Sequence, residues 1–364
     1  MTPENPYWTW LRTALAATDG YEEKLDALRV FARAQRRRLQ ERDQGGSLPL
    51  TGLFFELSLL AESVLYGSLE SAWHELLDRP GAEAPQGDFS VVAMGKLGGR
   101  ELNYRSDLDI IYIYEDAADQ EFYGRLGARI LSALSLLTRQ GIAYAVDTAL
   151  RPSGNRGTLV SSLSSFLEYH RTLGRTWERQ ALVKAHSLFG RPDRDTGFPA
   201  KLQTEIEAVA YQTYDPKTIA GEIDHLRSRM EREIARERPG RFNLKTGRGG
   251  LVDIEFAVQY LQLVHGRKNP KVRNRNTILA LASLRSEGVL DPSLAEILER
   301  SYLFLREIET RLRLLLDQPG DEIIEGAEWL GELEARYFGG RAILPRLIET
   351  REKVRSAYER ILRG

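Results

Sequence analysis

Apolar residues recur at helical spacing near both ends of the chain. Early in the sequence, Leu57, Leu60, Val64 and Leu69 follow one another at intervals of three to five residues, with no proline between them. This pattern predicts that residues 1 to 80 form helices. After residue 200 a second apolar face is spaced by three and four residues, and helices joined by short Pro/Gly breaks predict an antiparallel bundle. That face consists of Leu298, Tyr302, Leu305, Ile308, Leu312 and Leu315.

Between residues 89 and 190, short β-prone runs replace the helical pattern. The runs "FSVVAMG", "DLDIIYIYED" and "GIAYAVDTALRP" predict three strands, and "QEFYGRLGARILSALSLLT", between the last two, predicts a helix. This alternation predicts an α+β fold built on a mixed sheet. Pro/Gly-rich breaks then divide the chain into an N-terminal helical segment (1–85), a sheet domain (86–195) and a C-terminal helical bundle (196–364).

Composition narrows the class of protein. The 51 basic and 52 acidic residues give a net charge of −1, so no overall field favours nucleic acid or a membrane as partner. The chain has no cysteine, which excludes disulfides and thiolate metal sites and fits a cytoplasmic protein. No secretory signal opens the sequence, and we expect no stretch to reach the roughly 18 apolar residues of a membrane span. The charge run "RAQRRRLQERD", residues 33–43, is expected to be a solvated helix face.

Two aspartates at the start of the second strand are the first candidate for chemistry. Asp107 and Asp109 are two residues apart, so their side chains share one face of that strand. Two carboxylates about 4 Å apart repel by about 4 kcal/mol at an effective dielectric near 20. Mg²⁺ would compensate this repulsion, because it accepts carboxylate and phosphate oxygens together. The alternative is a solvated strand start without a bound ion.

A third carboxylate and a glycine turn extend this hypothesis. Asp147 lies in the third predicted strand, and three carboxylates could hold two Mg²⁺ ions. Upstream, "GKLGG" can turn backbone N–H groups toward a phosphate, although no G-x-x-x-x-G-K-S/T loop is present. A glycine-rich turn, a short helix and then D-x-D on a strand is the arrangement of polymerase-β-type nucleotidyltransferases. We therefore predict that type of mixed sheet, flanked by the N-terminal helices and the C-terminal bundle.

Four longer motifs extend the likeness to a named family. The stretches "GKLGGRELNYRSDLDIIYIY", "YAVDTALRPSGNRGTLVSSLSSFLEYHR", "WERQALVKAH" and "GGLVDIEFAVQYLQL" together resemble the glutamine synthetase adenylyltransferase/deadenylylase family. The resemblance covers residues 90 to 265. It implies transfer of AMP from ATP to a tyrosine of glutamine synthetase, with Asp107, Asp109 and Asp147 as metal ligands and with Gly95, Gly98 and Gly99 as the glycine loop.

Further residues are candidates for holding the nucleotide or its phosphates. Arg151 and Ser153 lie in "LRPSGNRG", where an arginine could grip phosphate oxygens, although a surface turn would explain the same residues. Lys245 precedes a predicted helix start, where free N–H groups attract anions. Asp253 follows it, either as a helix-end electrostatic residue or at an edge that closes over the nucleotide. The full set of expected contacts is Gly95, Gly98, Gly99, Ser106, Arg151, Ser153, Lys184 and Lys245.

The direction of the reaction stays open at this point. Family enzymes of full length resemble two such halves, one attaching AMP and the other removing it by phosphorolysis, whereas this chain has one "GKLGG…SDLD". The sequence "LRPSG" favours the adenylylating half, and "WERQALVKA" is intermediate. The alternatives are phosphorolytic removal of AMP, a nucleotidyltransferase with another target, and a binding module without activity. Glutamine synthetase is the expected protein partner, and a regulatory protein is a further candidate.

Overall fold

The computed structural model describes residues 5–363 and divides into two compact units, Met1–Val209 and Ala210–Gly364. The first unit contains the predicted sheet, and the second contains the predicted bundle. The three-part division at residues 85 and 195 stays a prediction.

Three long helices begin the first unit, as the apolar pattern predicts. Asn5 caps the first of them by accepting a hydrogen bond from the Tyr7 amide (3.1 Å), and Pro6 occupies the first turn, where it needs no donor. Leu57, Leu60, Val64 and Leu69 are all buried in the third helix. The helices are α1 (Pro6–Ala16), α2 (Tyr21–Gln44) and α3 (Leu50–Leu77).

The third helix corrects one expectation from the sequence. By length and composition, α3 is long and apolar enough to cross a membrane, the one such helix among residues 5–363. However, 61% of its apolar window is buried inside the protein. Its packing partners are α1, α2 and the helix at Gln120–Ser135. A core helix passes the same test of length and composition, so α3 is weak evidence for a membrane span.

The charge run at 33–43 is only partly the solvated face that the sequence suggests. Arg37 is exposed, but Arg33 and Arg36 donate hydrogen bonds to residues 140 and 143, far along the chain. Asp43 is buried and accepts a hydrogen bond from the Tyr104 hydroxyl at 3.2 Å. Arg33 stays exposed despite its bond, so the expectation is wrong for Arg36 and Asp43, because α2 packs these two side chains against other parts of the unit.

A mixed sheet forms behind these helices, as predicted. The strands lie in the order β3-β2-β1-β5, and β4 also pairs with β2. β1 is antiparallel to β2 and β5, whereas β2 is parallel to both β3 and β4. The likeness to the polymerase-β type stays a prediction. The strands are β1 (Phe89–Ala93), β2 (Leu108–Tyr114), β3 (Val146–Asp147), β4 (Val160–Ser162) and β5 (His186–Phe189).

Helices lie between these strands and after the last of them. The first two predicted strands and the predicted helix at 120–135 are present, but the third strand is reduced from "GIAYAVDTALRP" to the two residues of β3. The strands β4 and β5 carried no sequence prediction. The helices are α4 (Gly95–Gly98), α5 (Gln120–Ser135), α6 (Leu163–Thr172), α7 (Thr176–Leu182) and α8 (Phe198–Ala210).

The second unit is helical, as the sequence predicts, and adds a small antiparallel sheet. The predicted apolar face of its longest helix is buried, except for the half-buried Leu315. The helices are α9 (Pro216–Met230), α10 (Leu251–Gly266), α11 (Thr277–Ser286), α12 (Pro292–Leu316), α13 (Glu328–Tyr337) and α14 (Leu344–Arg363), and the strands are β6 (Arg241–Asn243) and β7 (Glu322–Ile324).

Candidate active site

Three carboxylates converge at the start of β2. Asp107, Asp109 and Asp147 each offer one carboxylate oxygen, and these oxygens all lie within 4.8 Å of one another. Asp109 is half-buried, whereas Asp107 and Asp147 are exposed. An all-oxygen set of this size, open to solvent on one side, suits a hard divalent cation that also binds phosphate oxygens. The residues present therefore fit the predicted Mg²⁺.

Backbone pairing brings two of these carboxylates together. Asp109 and Asp147 are register partners in the parallel β2–β3 pair, and the Leu108 amide donates to the Ala145 carbonyl oxygen at 2.9 Å. Side chains at paired positions point to the same face of a sheet. Asp147 also accepts a hydrogen bond from the Ala149 amide (2.7 Å), which fixes one of its oxygens. The pairing of β2 with β3 therefore places Asp147 beside the two aspartates of the D-x-D motif.

Gly95 lies directly against Asp109. Its φ of +51° is in the left-handed region that favours glycine. A Cβ at this position would collide with Oδ2 of Asp109 and lie 3.2 Å from its Cγ. The Met94 amide donates to the Asp109 carbonyl oxygen at 2.8 Å, so the start of the glycine loop is also tied to β2. This loop therefore reaches the carboxylates by backbone alone.

Packing accounts for another glycine of the loop. A Cβ on Gly98 would collide with the Lys184 carbonyl oxygen and lie 2.8 Å from that of Ala93. The amides of Gly98 and Gly99 donate to the carbonyls of Met94 and Gly95, within the short helix α4. Ser106 directly precedes Asp107 in the sequence, and its hydroxyl accepts a hydrogen bond from the Asn103 amide at 3.1 Å. Contacts of these residues with a nucleotide stay predictions.

The N-terminal helix α3 holds the segment between the glycine loop and the aspartates. Glu62 forms a two-pronged ion pair with Arg100, at 2.7 and 3.1 Å. One turn earlier, the Ser58 hydroxyl accepts a hydrogen bond from the Leu102 amide at 3.1 Å. Both side chains are buried on α3. Sequence reasoning missed them, although two polar residues four apart on an apolar helix face were the available signal.

Arg151 and Ser153 lie in a loop that follows Asp147 by a few residues. The Arg151 guanidinium donates to Thr148 at both its carbonyl (2.7 Å) and hydroxyl (2.6 Å) oxygens, and to the Asn155 side chain at 3.3 Å. Ser153 is exposed, with a left-handed backbone at φ +62°. These bonds show that Arg151 shapes its own loop. A grip on phosphate stays a prediction for both residues.

Lys184 is buried, with 5% of its surface exposed, and forms an ion pair with the buried Glu101. It lies two residues after the end of α7, where its carbonyl oxygen packs against Gly98 of the glycine loop. A buried ammonium needs such a partner, because desolvation of an unpaired charge is costly. The structure therefore gives Lys184 an internal ion pair beside the loop, and its contact with nucleotide stays a prediction.

Lys245 and Asp253 belong to the second unit. Lys245 is exposed, and its amide donates to the Asn243 side chain at 3.0 Å. Asp253 has no exposed surface, and it pairs with the equally buried Arg227 and accepts a hydrogen bond from the Gly249 amide at 2.8 Å. The carboxylate thus closes the turn before α10. This geometry matches the interpretation of Asp253 as a helix-end residue. The ion pair with the buried Arg227 side chain was not part of that interpretation.

Comparison with known proteins identifies the family. Residues 1–201, which include all three carboxylates and the glycine loop, match the family described as glutamate-ammonia ligase adenylyltransferase. The chain belongs to this family. The resemblance seen in the sequence motifs is thereby confirmed, and the family is one of adenylyltransferase enzymes. Residues 224–359, within the second unit, match a further family, GlnD PII-uridylyltransferase.

A relative from Chromobacterium violaceum supports the same assignment to the adenylyltransferase family. It is named bifunctional glutamine synthetase adenylyltransferase/adenylyl-removing enzyme and is 38% identical over 309 residues. The match covers 84% of this chain but 33% of the relative. The chain thus spans about a third of the length of that protein.

Proposed function

We propose that this chain transfers AMP from ATP to a tyrosine hydroxyl of glutamine synthetase at the site formed by Asp107, Asp109 and Asp147. The convergence of these three carboxylates beside Gly95 is the observation that carries the proposal. Phosphoryl-type transfer depends on positioning and on neutralising charge, and this cluster suits both tasks. The family membership and the name of the relative supply the substrate.

The residues of the chain have separate tasks in this proposal. Asp109 and Asp147, paired across two strands, present two carboxylates to one point, and Asp107 adds a third. Mg²⁺ bound there would neutralise phosphate charge and orient the reacting oxygens. Gly95 has no side chain, so the loop backbone can lie directly against the Asp109 carboxylate. Arg100 and Glu62 hold the intervening segment in place.

Adenylylation and its reversal use related chemistry, and the relative's name includes both. We propose adenylylation as the direction because "LRPSG" at 150–154 resembles the adenylylating half. In that direction the tyrosine oxygen bonds to the α-phosphorus, pyrophosphate leaves, and the hydroxyl proton is released. In the reverse enzyme, inorganic phosphate attacks the phosphorus of AMP-tyrosine, the bond to the tyrosine oxygen breaks, and ADP and free tyrosine hydroxyl are formed. A cytoplasmic location stays a prediction.

The deciding experiment incubates the purified chain with unmodified glutamine synthetase and MgATP, and follows the intact mass of the synthetase. We expect the mass to increase by one AMP per subunit, with release of pyrophosphate. A parallel reaction contains adenylylated synthetase and phosphate without ATP. Loss of AMP with formation of ADP, in that reaction alone, would replace our proposal with phosphorolysis. No change in either reaction would overturn glutamine synthetase as the substrate.

A matched pair of variants connects the activity to the carboxylates. Asp109→Asn should lower AMP transfer at least about a hundredfold while the protein stays folded. Asp78→Asn makes the same chemical change at an exposed residue just after α3 and should leave the rate unaltered. Equal rates for Asp109→Asn and the unaltered protein would remove the carboxylate cluster from the mechanism.

A further inference from the structure

One face of α2 bonds to a single distant hairpin. Asp26, Arg29, Arg33 and Arg36 are spaced by three, four and three residues, which places them in one stripe along the helix. All four side chains contact residues 136–143, the hairpin between α5 and β3. We call these four residues the α2 stripe. Its partners lie more than a hundred residues away in sequence.

The stripe binds mainly backbone oxygens. Arg29 donates to the carbonyl oxygens of Leu136 and Gly141, both at 2.9 Å, and Arg33 donates to that of Gln140 at 3.0 Å. Asp26 accepts a hydrogen bond from the Thr138 hydroxyl at 3.0 Å. Within the hairpin, Thr138 and Gly141 exchange two backbone hydrogen bonds. The conformation of the hairpin is therefore fixed at both of its arms.

Arg36 makes the contact nearest to the carboxylates. It donates to the Ala143 carbonyl oxygen at 3.0 Å, and its guanidinium carbon lies 4.7 Å from the ring centroid of the buried Tyr144. The next residue, Ala145, accepts the Leu108 amide, and Asp147 follows two residues later. Arg36 thus grips the chain four residues before Asp147.

The strand that carries Asp147 is too short to hold its position alone. β3 has two residues, and it pairs with the first two residues of β2. Strands in folded proteins usually have about five or six residues. The alternative support for this segment is the hairpin that precedes it, which the α2 stripe bonds at five residues. A metal ligand must be held within about 0.5 Å of its place to be effective.

We propose that the α2 stripe, acting through Arg36, positions Asp147 as the third carboxylate of the cation site. This inference rests on the proposed function of that site. It makes Arg36 a positioning residue, since its bonds reach the backbone and ring of the hairpin. The physical reason is that a half-buried arginine, which bonds the Ala143 carbonyl and lies over the Tyr144 ring, replaces the backbone hydrogen bonds that a longer strand would supply.

The test measures cation binding directly, without any turnover. Isothermal titration calorimetry with Mn²⁺ compares the unaltered chain with Arg36→Gln, whose side chain is too short to hold both partners. We expect the dissociation constant to rise about tenfold or more. Arg37→Gln is the matched control, because Arg37 is the adjacent residue, is 82% exposed and pairs only with the surface residue Glu41 among the described residues. It should bind Mn²⁺ like the unaltered chain.

Two further measurements distinguish positioning from general stability. Thermal unfolding of each variant is recorded, and Arg36→Lys should recover part of the Mn²⁺ affinity, since lysine can still donate to the Ala143 carbonyl. If Arg36→Gln does not fold, Thr138→Val and Arg33→Gln loosen the same hairpin more mildly, and both should weaken Mn²⁺ binding.

The possible failures are distinct. If the unaltered chain binds Mn²⁺ and Asp147→Asn weakens that binding, but Arg36→Gln, Arg33→Gln and Thr138→Val do not, the positioning inference is wrong and the proposed site stands. If the unaltered chain binds no Mn²⁺, the cation site of the proposed function itself is wrong.

Discussion

Asp109 and Asp147 face the same side of the sheet as register partners of two parallel strands. They are thirty-eight residues apart in sequence, and Gly95 approaches Asp109 from a third segment. The arrangement leaves Asp109 half-buried with a glycine backbone against its carboxylate. Any side chain at position 95 would collide with Oδ2 of Asp109, so the site requires glycine there.

Gly95→Ala should therefore damage the site more than the fold. The alanine Cβ would collide with Oδ2 of Asp109, and its φ of +51° adds a backbone cost of about 1–3 kcal/mol. We expect AMP transfer to fall sharply in the intact-mass assay. Gly81→Ala is the control: its φ is +78° with no atom within 4 Å, so it has the backbone cost alone and should keep full activity. Normal activity of Gly95→Ala would contradict the close approach.

Lys184→Met should lower the stability of the first unit, because it breaks the buried ion pair with Glu101. Both partners are almost fully buried, and the substitution removes the ammonium that pairs with the Glu101 carboxylate, at a cost of about 3–5 kcal/mol in unfolding free energy. Urea denaturation measures this change. Lys201→Met breaks the exposed pair with Glu115 and should cost about 0–1 kcal/mol. If Lys184→Met kept its stability but raised the KM for ATP, the predicted nucleotide contact would be supported instead.

His170 should make the first unit less stable in mild acid. Burial lowers the pKa of its imidazole to about 4, from 6.5, and neither ring nitrogen has a hydrogen-bond partner among the described residues. As pH falls from 6.5 to 4, the unfolded chain gains a proton that the folded chain does not, so unfolding becomes easier by up to about 3 kcal/mol. Below pH 4 both states carry the proton and the effect levels off.

The measurement for His170 is urea denaturation at a series of pH values between 7 and 4. His170→Leu should remove the part of the pH dependence that the buried imidazole causes, so its profile should be flatter than that of the unaltered chain. His225→Gln, at an exposed position on α9, should leave the dependence unchanged. An identical pH profile for His170→Leu and the unaltered chain would show that other groups cause it.

Asp253→Ala should destabilise the second unit. Arg227 has no exposed surface and would lose its fully buried carboxylate partner while keeping the longer pair with Glu231 at 3.4 Å, and the Gly249 amide would lose its acceptor. We expect a loss of about 3–5 kcal/mol, measured by urea denaturation. Glu233→Gln breaks an exposed pair with Arg229 on the surface and should change little. If Asp253→Ala were as stable as the unaltered chain, the ion pair of Asp253 with Arg227 would not stabilise the second unit.

Several parts of this architecture could be predicted from local pattern. The strands β1 and β2 follow from short β-branched runs, and α3 and α12 follow from apolar residues at helical spacing. The third strand was too long in the prediction, because Ala143 and Tyr144 are held by Arg36 and by the Leu134 carbonyl oxygen rather than by pairing with a strand. The charge run on α2 looked solvated, since nothing in its sequence indicates a distant partner.

By itself, the sequence determined which residues could do the chemistry: two aspartates on one strand face, a third in a later strand, and glycines that let backbone approach them. Residue type and spacing of two are local properties, so they can be read along the chain. Only the tertiary structure decided which partner each charged side chain meets. Lys184 meets Glu101 across 83 residues, and Arg36 reaches Ala143 across 107. The energy of a charge depends on its burial and its partner, and packing alone sets both.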